Sequence, residues 1–126
     1  MTQFDKRNLS MMMDFYEMTM SYGYFRQTHG DVRVAFDLFF RSVPDRGGYA
    51  VFAGLEHVIE FVENLSFSDE DIDYFRAQNL FSEEFLSFLR GFRFRGDIYA
   101  VPEGTIIYPN EPLMTIVAPI IDAQLI

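Results

Sequence analysis

Residues Met11–Tyr24, MMMDFYEMTMSYGY, are the stretch from which the rest of the chain is read. At its centre, Asp14-Phe15-Tyr16-Glu17 has the form of a helix start: an Asp N-cap takes a backbone N–H, and a Glu three residues on reaches back, as in a capping box. The helix is therefore predicted to begin near Phe15. Such an end carries partial positive charge and free N–H groups, which suit an anion. Tyr16, in the first turn, sets a flat ring with a polar tip beside it, a pairing that fits a small aromatic acid or nothing at all. Tyr16 also falls at helical spacing with Leu9, Met13, Met20 and Tyr24, so periodicity alone reads it as core and Asp14 as a cap.

Working outward, Thr28-His29-Gly30-Asp31 is a helix stop with Gly30 as the C′ residue. Val32 to Arg41 then reads as a strand. Val32, Val34, Phe36, Leu38 and Phe40 share one face, and Arg33, Ala35, Asp37, Phe39 and Arg41 the other. Apolar residues on both faces near its end predict a central strand. Pro44 to Gly48 is a turn, and Tyr49 to Ala53 a short apolar run. A helix follows from Gly54, with Leu55, Val58, Ile59 and Val62 at helical spacing. Ser68 caps a helix carrying Ile72 and Phe75; Ser82 caps another carrying Phe85, Leu86 and Leu89, closed by Gly91. Three strand-like runs end the chain, Phe92 to Val101, Thr105 to Tyr108 and Leu113 to Val117, separated by Pro102-Glu103-Gly104 and Pro109-Asn110-Glu111-Pro112. Short antiparallel strands and a mixed α+β domain are the expectation.

At 126 residues, 49% hydrophobic and 23% charged, the chain has the composition of one globular domain over residues 1–126. A net charge of −9 argues against nucleic acid or an anionic membrane as partner, because a phosphate backbone is held by Lys and Arg. Lys6 is the one lysine and the other nine cations are arginines, the better side chain for bidentate pairing with carboxylate or phosphate. There is no cysteine for a disulfide or a thiolate metal site, and no metal ligand set is expected. No apolar run reaches the roughly 18 residues of a membrane span. The amino end, MTQFDKRN, lacks a signal peptide's apolar core, so a cytoplasmic location is expected. At the other end a helix opens at Pro119 and meets no cap, as if it led on into a larger protein.

The familiar catalytic signatures are absent: no P-loop, no G-x-G-x-x-G, no G-x-S-x-G and no H-E-x-x-H. His29 and His57 stand alone, which reads as solvated surface. Asp69-Glu70-Asp71 and Glu83-Glu84 follow Ser caps, where acidic residues suit the helix dipole. Arg90, Arg93 and Arg95 could form a basic patch, but the alternation in Arg93-Phe94-Arg95 reads as a half-exposed strand. Arg41 closes a strand just before a Pro/Gly turn, where it can reach a ligand or form a surface ion pair with Asp37 or Asp45. The 15 Phe and 7 Tyr exceed what one small core needs, so some face another domain or subunit.

Five spaced blocks then point to a family: Asp14-Phe15-Tyr16-Glu17-Met18-Thr19-Met20; Phe36-Asp37-Leu38-Phe39-Phe40-Arg41; Phe52-Ala53-Gly54-Leu55-Glu56; Pro102-Glu103-Gly104; and Glu111-Pro112-Leu113 with Asp122-Ala123-Gln124-Leu125-Ile126. In this order they resemble the amino-terminal domain of nicotinate phosphoribosyltransferase, over nearly the whole chain. The resemblance implies a type II phosphoribosyltransferase, with an α+β hammerhead or barrel-sandwich-like domain ahead of a larger α/β barrel. It implies the joining of nicotinate to 5-phosphoribosyl 1-diphosphate, with ATP hydrolysis and magnesium, at sites shared between subunits of a homodimer. By position Tyr16 matches the ring that stacks on the pyridine, Asp14 the acid beside it, and Arg41 the cation that reaches phosphate across the interface. Met13 departs from the Thr that commonly precedes the motif's Asp. Neither His29 nor His57 matches the family's phosphorylated histidine, which belongs to the barrel, so this chain alone is expected to be inactive and to bind no cofactor. Two rivals are a relative using nicotinamide or quinolinate, and a non-enzymatic sandwich-type binding module; the latter needs a lysine at a hairpin tip, and Lys6 is the only lysine.

Overall fold

The computed structural model describes residues 8–28 and 30–126; Lys6 and His29 lie outside the described residues. Among the described residues five α-helices and five strands follow one another, with a short 3-10 turn at Pro44–Arg46 between the first two strands: α1 (Phe15–Thr28), β1 (Arg33–Leu38), β2 (Ala50–Val51), α2 (Leu55–Asn64), α3 (Asp69–Ala77), α4 (Glu83–Arg90), β3 (Asp97–Ala100), β4 (Ile106–Ile107), β5 (Met114–Pro119) and α5 (Ile120–Gln124). The mixed α+β class is as expected, and no closed barrel forms.

The strands make two antiparallel sheets, one ordered β1-β5-β3 and a second of β2 and β4. β1 meets β5 from Arg33↔Pro119 to Leu38↔Met114, and β3 meets it from Asp97↔Val117 to Ala100↔Met114. The strand expected to be central, β1, is thus an edge, and β5 occupies the middle. Burial gives the reason: every second residue of β5 is fully covered, whereas β1 is exposed along most of its length. The Phe pair that made the first strand look doubly apolar lies past its end, and Phe39 is 46% exposed.

Two hydrophobic clusters hold the chain. The helical one is centred on Met18, Ile72, Phe85 and Leu89, joined by Ile121 and Leu125 of α5. Removing side chains such as Phe85 and Leu89 from water contributes about 1.5–3 kcal/mol each. Its rings form a continuous series, Phe75 to Phe81 at 5.7 Å, Phe81 to Phe85 at 5.6 Å and Phe85 to Phe88 at 6.1 Å. The sheet cluster contains Phe52, Ile107, Met114 and Ile116, with Ala123 of α5. Ile126 packs against both.

The Ser caps form as predicted. Ser68 and Asp71 make a reciprocal capping box at α3, and Ser82 Oγ accepts from the Phe85 N–H at α4. Gly30 adopts φ +77°, which L side chains rarely take, and a Cβ there would lie 2.6 Å from Ile121 Cδ1. α1 therefore ends against α5 with no room for a side chain.

Asp122 is fully buried in the first turn of α5. It accepts the Arg95 backbone N–H at 2.9 Å and the Arg95 guanidinium at 3.2 and 2.9 Å. Residues 93–96, read from their alternation as strand, are instead an irregular segment held by this pair.

Candidate functional site

The buried face of α1 is Met18, Ser21 and Phe25, not the series through Tyr16. Tyr16 and Met20 turn outward, 57% and 41% exposed. Of the series spaced on Tyr16, Met13 and Tyr24 pack partly against the helical core while Tyr16 and Met20 do not, and the Ser on the buried face weakens the periodic signal. Phe15 anchors this helix end, edge-on to Phe81 at 6.0 Å. Its neighbours Met11, Met13, Tyr74 and Phe75 line a cleft of about 300 Å³. The Tyr16 ring has no aromatic neighbour and its hydroxyl no hydrogen bond among the described residues. Only its carbonyl is engaged, accepting from Thr19 Oγ1 at 3.0 Å.

Asp14 precedes the helix as expected, but the capping box with Glu17 does not form. The Glu17 N–H, which the Asp side chain was expected to bind, goes to Asp14's own carbonyl oxygen at 3.0 Å, closing a tighter turn. The carboxylate is left exposed and without a hydrogen bond among the described residues. A free acid beside a free ring therefore stands at the start of α1.

Arg41 is exposed just beyond β1, where the Phe40 carbonyl accepts the Asn110 N–H at 2.8 Å. The ion pairs weighed for it are not made. Asp37 accepts instead from Thr115 Oγ1 at 2.6 Å, and Arg41 has no salt bridge among the described residues. Among the described residues no hydrogen bond, ion pair or ring contact joins Arg41 to Tyr16 or Asp14: α1 packs on α5, while the Arg41 segment is tied to the turn before β5. Within one chain these side chains do not converge on a single pocket.

The three arginines of the possible basic patch are committed. Arg90 pairs with Asp69 at 3.0 Å, Arg93 folds onto the Phe92 carbonyl at 2.5 Å, and Arg95 holds Asp122. The hydrogen bond to Asp122 raises the Arg95 pKa. Glu103 has a role that sequence reading missed. Its two carboxylate oxygens accept the Gly54 and Leu55 N–H groups at 2.8 and 3.0 Å, capping α2, whose own N-cap is a glycine without a side chain. Those N–H groups, Gly54's first, hold the Glu103 carboxyl below its usual range. The signal available was a glycine at a helix start with an acidic turn elsewhere in the chain. His57 is exposed in the first turn of α2.

Beneath the three-stranded sheet, Phe36 and Leu38 of β1, Ile98 and Ile116 face Val58 and Phe61 of α2 across an apolar cavity of about 320 Å³. Among the described residues no three His, Asp or Glu side chains gather as metal ligands. No described helix is long and apolar enough to cross a membrane.

A fold of this kind, helices packed with an antiparallel sheet, occurs in solved structures. The crystal structure of human nicotinic acid phosphoribosyltransferase superposes on 90% of the chain with a TM-score of 0.81 at 29% identity, using 23% of that structure. Nicotinate-nucleotide pyrophosphorylase from Pyrococcus furiosus shares the fold at a TM-score of 0.64 and 19% identity over 99% of this chain and 24% of its own. In sequence, the nicotinate phosphoribosyltransferase pncB2 of Mycobacterium tuberculosis is 44% identical across 93% of the chain and 25% of its own length. Nicotinate phosphoribosyltransferase of Bacillus subtilis is 42% identical across 98% and 25%. The family model described as nicotinate phosphoribosyltransferase (NAPRTase) N-terminal domain matches residues 11–126. The chain belongs to the nicotinate phosphoribosyltransferase family and corresponds to its amino-terminal domain. It spans about a quarter of the length of these relatives.

Proposed function

We propose that this chain is the amino-terminal part of a nicotinate phosphoribosyltransferase, which joins nicotinate to 5-phosphoribosyl 1-diphosphate and releases nicotinate mononucleotide and diphosphate. The observation that carries the reading is the outward, unpartnered ring of Tyr16 in a chain that matches the family from residue 11 to 126. The names of the relatives favour nicotinate over nicotinamide or quinolinate as the base.

Displacement at the ribose anomeric carbon needs the pyridine nitrogen aligned and the leaving diphosphate neutralised. Tyr16 supplies a flat apolar platform for alignment, and Arg41 a planar cation suited to phosphate. Because the two lie apart, each completes a site with groups from outside this chain, which supports a homodimer with shared sites. In this reading Asp14, free of the helix cap, is the acid adjacent to that site. In this reading the magnesium and ATP expected for the full enzyme are held by the part of the protein outside this chain. The reading includes a cytoplasmic enzyme of NAD salvage and a 126-residue chain that makes no nicotinate mononucleotide by itself.

The test is steady-state kinetics of the full-length enzyme. Tyr16→Ala should raise the nicotinate KM about tenfold or more, on the scale of a lost stacking contact, while Tyr16→Phe stays near the parent. Circular dichroism should be unchanged, because the ring is largely exposed and belongs to neither hydrophobic cluster. Unaltered KM in Tyr16→Ala would remove the ring from the site. Arg41→Ala should weaken binding of the phosphoribosyl substrate, and unchanged affinity would remove Arg41.

A further inference from the structure

Phe81 stands where α1, α3 and α4 meet. Its ring lies 6.0 Å from Phe15 and 5.5 Å from Tyr22 of α1, 5.7 Å from Phe75 of α3 and 5.6 Å from Phe85 of α4. The corner that carries it, between α3 and α4, is braced at both ends. Asn79 closes α3 at φ +56°, in the left-handed region, and Ser82 caps α4 through the Phe85 N–H. Arg76 of α3 spans the corner with a two-pronged pair to Glu83 of α4, at 2.7 and 3.1 Å. The first turn of α1 has less support of its own. Asp14 gives it no side-chain cap among the described residues, and an uncapped helix start leaves its first N–H groups unmatched. Phe15 makes its one ring contact among the described residues with Phe81, and it also lines the cleft of about 300 Å³ that it shares with Met11 and Met13.

We propose that Phe81 is a positioning residue for the base: by holding Phe15, it sets the direction in which Tyr16 points. The inference rests on the reading of Tyr16 as the ring that stacks on nicotinate. Phe15 and Tyr22 are seven residues apart, nearly two full turns, so they share one face of α1. A single ring bearing on both fixes the rotation of the helix about its axis. Tyr16 follows Phe15 by one residue, about 100° further round, which carries its ring from the packed face to the outside. Any rotation of the first turn therefore moves the platform by the same angle. Without the Phe81 ring, Phe15 has the neighbouring cleft to move into, and the first turn goes with it. Phe81 packs partly buried against the helical cluster, so its effect on the base passes through Phe15 and Tyr16.

Steady-state kinetics of the full-length enzyme tests this with Phe81→Leu, Tyr16→Ala and the two combined. Leu keeps apolar bulk at the corner and removes the edge-on ring. Phe81→Leu should raise the nicotinate KM about threefold to tenfold, the scale of a lost aromatic pair. It should leave kcat and the KM for 5-phosphoribosyl 1-diphosphate within about twofold of the parent, which a general loss of structure would not. In the double variant the nicotinate KM should lie within about twofold of Tyr16→Ala alone, because displacing the platform has no effect once the platform is gone. Phe15→Leu breaks the same contact from a side chain that is 40% exposed. It should reproduce the shift, and it carries the same cycle if Phe81→Leu fails to fold. Equal rises in both KM values, a fall in kcat at unchanged nicotinate KM, or an additive double variant would overturn the proposal. An unaltered KM in Tyr16→Ala would remove the site reading itself. A raised KM there, with an unaltered one in the leucine variants, would remove Phe81 alone.

Discussion

Removing Arg95 should destabilise the chain more than neutralising the acid it binds, although the two form one ion pair. The reason is unequal burial: Asp122 is 0% exposed and the Arg95 side chain 53%. Arg95→Ala strands a carboxylate in the interior with one remaining donor, the residue-95 N–H at 2.9 Å. Breaking a buried pair in this way costs about 3–5 kcal/mol, and the surviving N–H puts the expected loss near the lower figure. In Asp122→Asn the amide oxygen keeps that N–H, and the half-exposed guanidinium returns to water, so the expected loss is about 1 kcal/mol. The double variant Arg95→Ala/Asp122→Asn removes the stranded charge and should therefore be more stable than Arg95→Ala alone. Urea unfolding followed by far-UV circular dichroism, with the m-value checked for constancy, measures all three. A double variant less stable than Arg95→Ala would refute the reasoning, because it would show that the buried charge was not the source of the loss.

Glu103 gives a pH-dependent counterpart. Its folded pKa is lowered by the Gly54 N–H and then the Leu55 N–H, so its stabilisation is complete above the ordinary carboxylate pKa and fades as pH falls through the lower folded value. The Tm gap between the parent and Glu103→Gln should accordingly be widest at neutral pH and close below about pH 4. Gly96→Ala would put a Cβ 2.4 Å from Ala118 Cβ and 2.9 Å from the Val117 carbonyl, against the central strand. It should lose about 2 kcal/mol or more in chemical denaturation. Gly23 sits within α1 with nothing within 4 Å of an added Cβ, so Gly23→Ala should gain about 1 kcal/mol, read as a raised Tm.

What could be read in advance was what is local. Ser68 and Ser82 cap their helices because a hydroxyl reaches an N–H three residues on, and that geometry is written in the spacing. Asp14 has the same spacing yet makes no cap, because its own carbonyl takes the Glu17 N–H. The choice between those acceptors depends on the turn, which residue types do not specify. The order β1-β5-β3 was hidden for another reason. Strand alternation reports which face is apolar but not which edge is paired, and β1 and β5 are brought together by contacts far apart in sequence. Arg95 and Asp122 lie 27 residues apart, so no periodicity connects them. Tyr16 shows the limit of a moment argument, since the inner face of α1 includes Ser21 and the outer face includes Met20. The five spaced blocks, by contrast, identified the domain because they depend on residue identity in order rather than on any one element.

The strand at the centre of the main sheet, β5, comes after both of its partners in chain order, and α5, which supplies side chains to both hydrophobic clusters, follows it directly. A nascent chain that has not reached residue 114 holds β1 and β3 with nothing to pair between them. It also lacks Ile121, against which α1 terminates. The three-stranded sheet therefore cannot be completed before residues 114–119 are present, and the helical cluster lacks Ile121 until α5 follows.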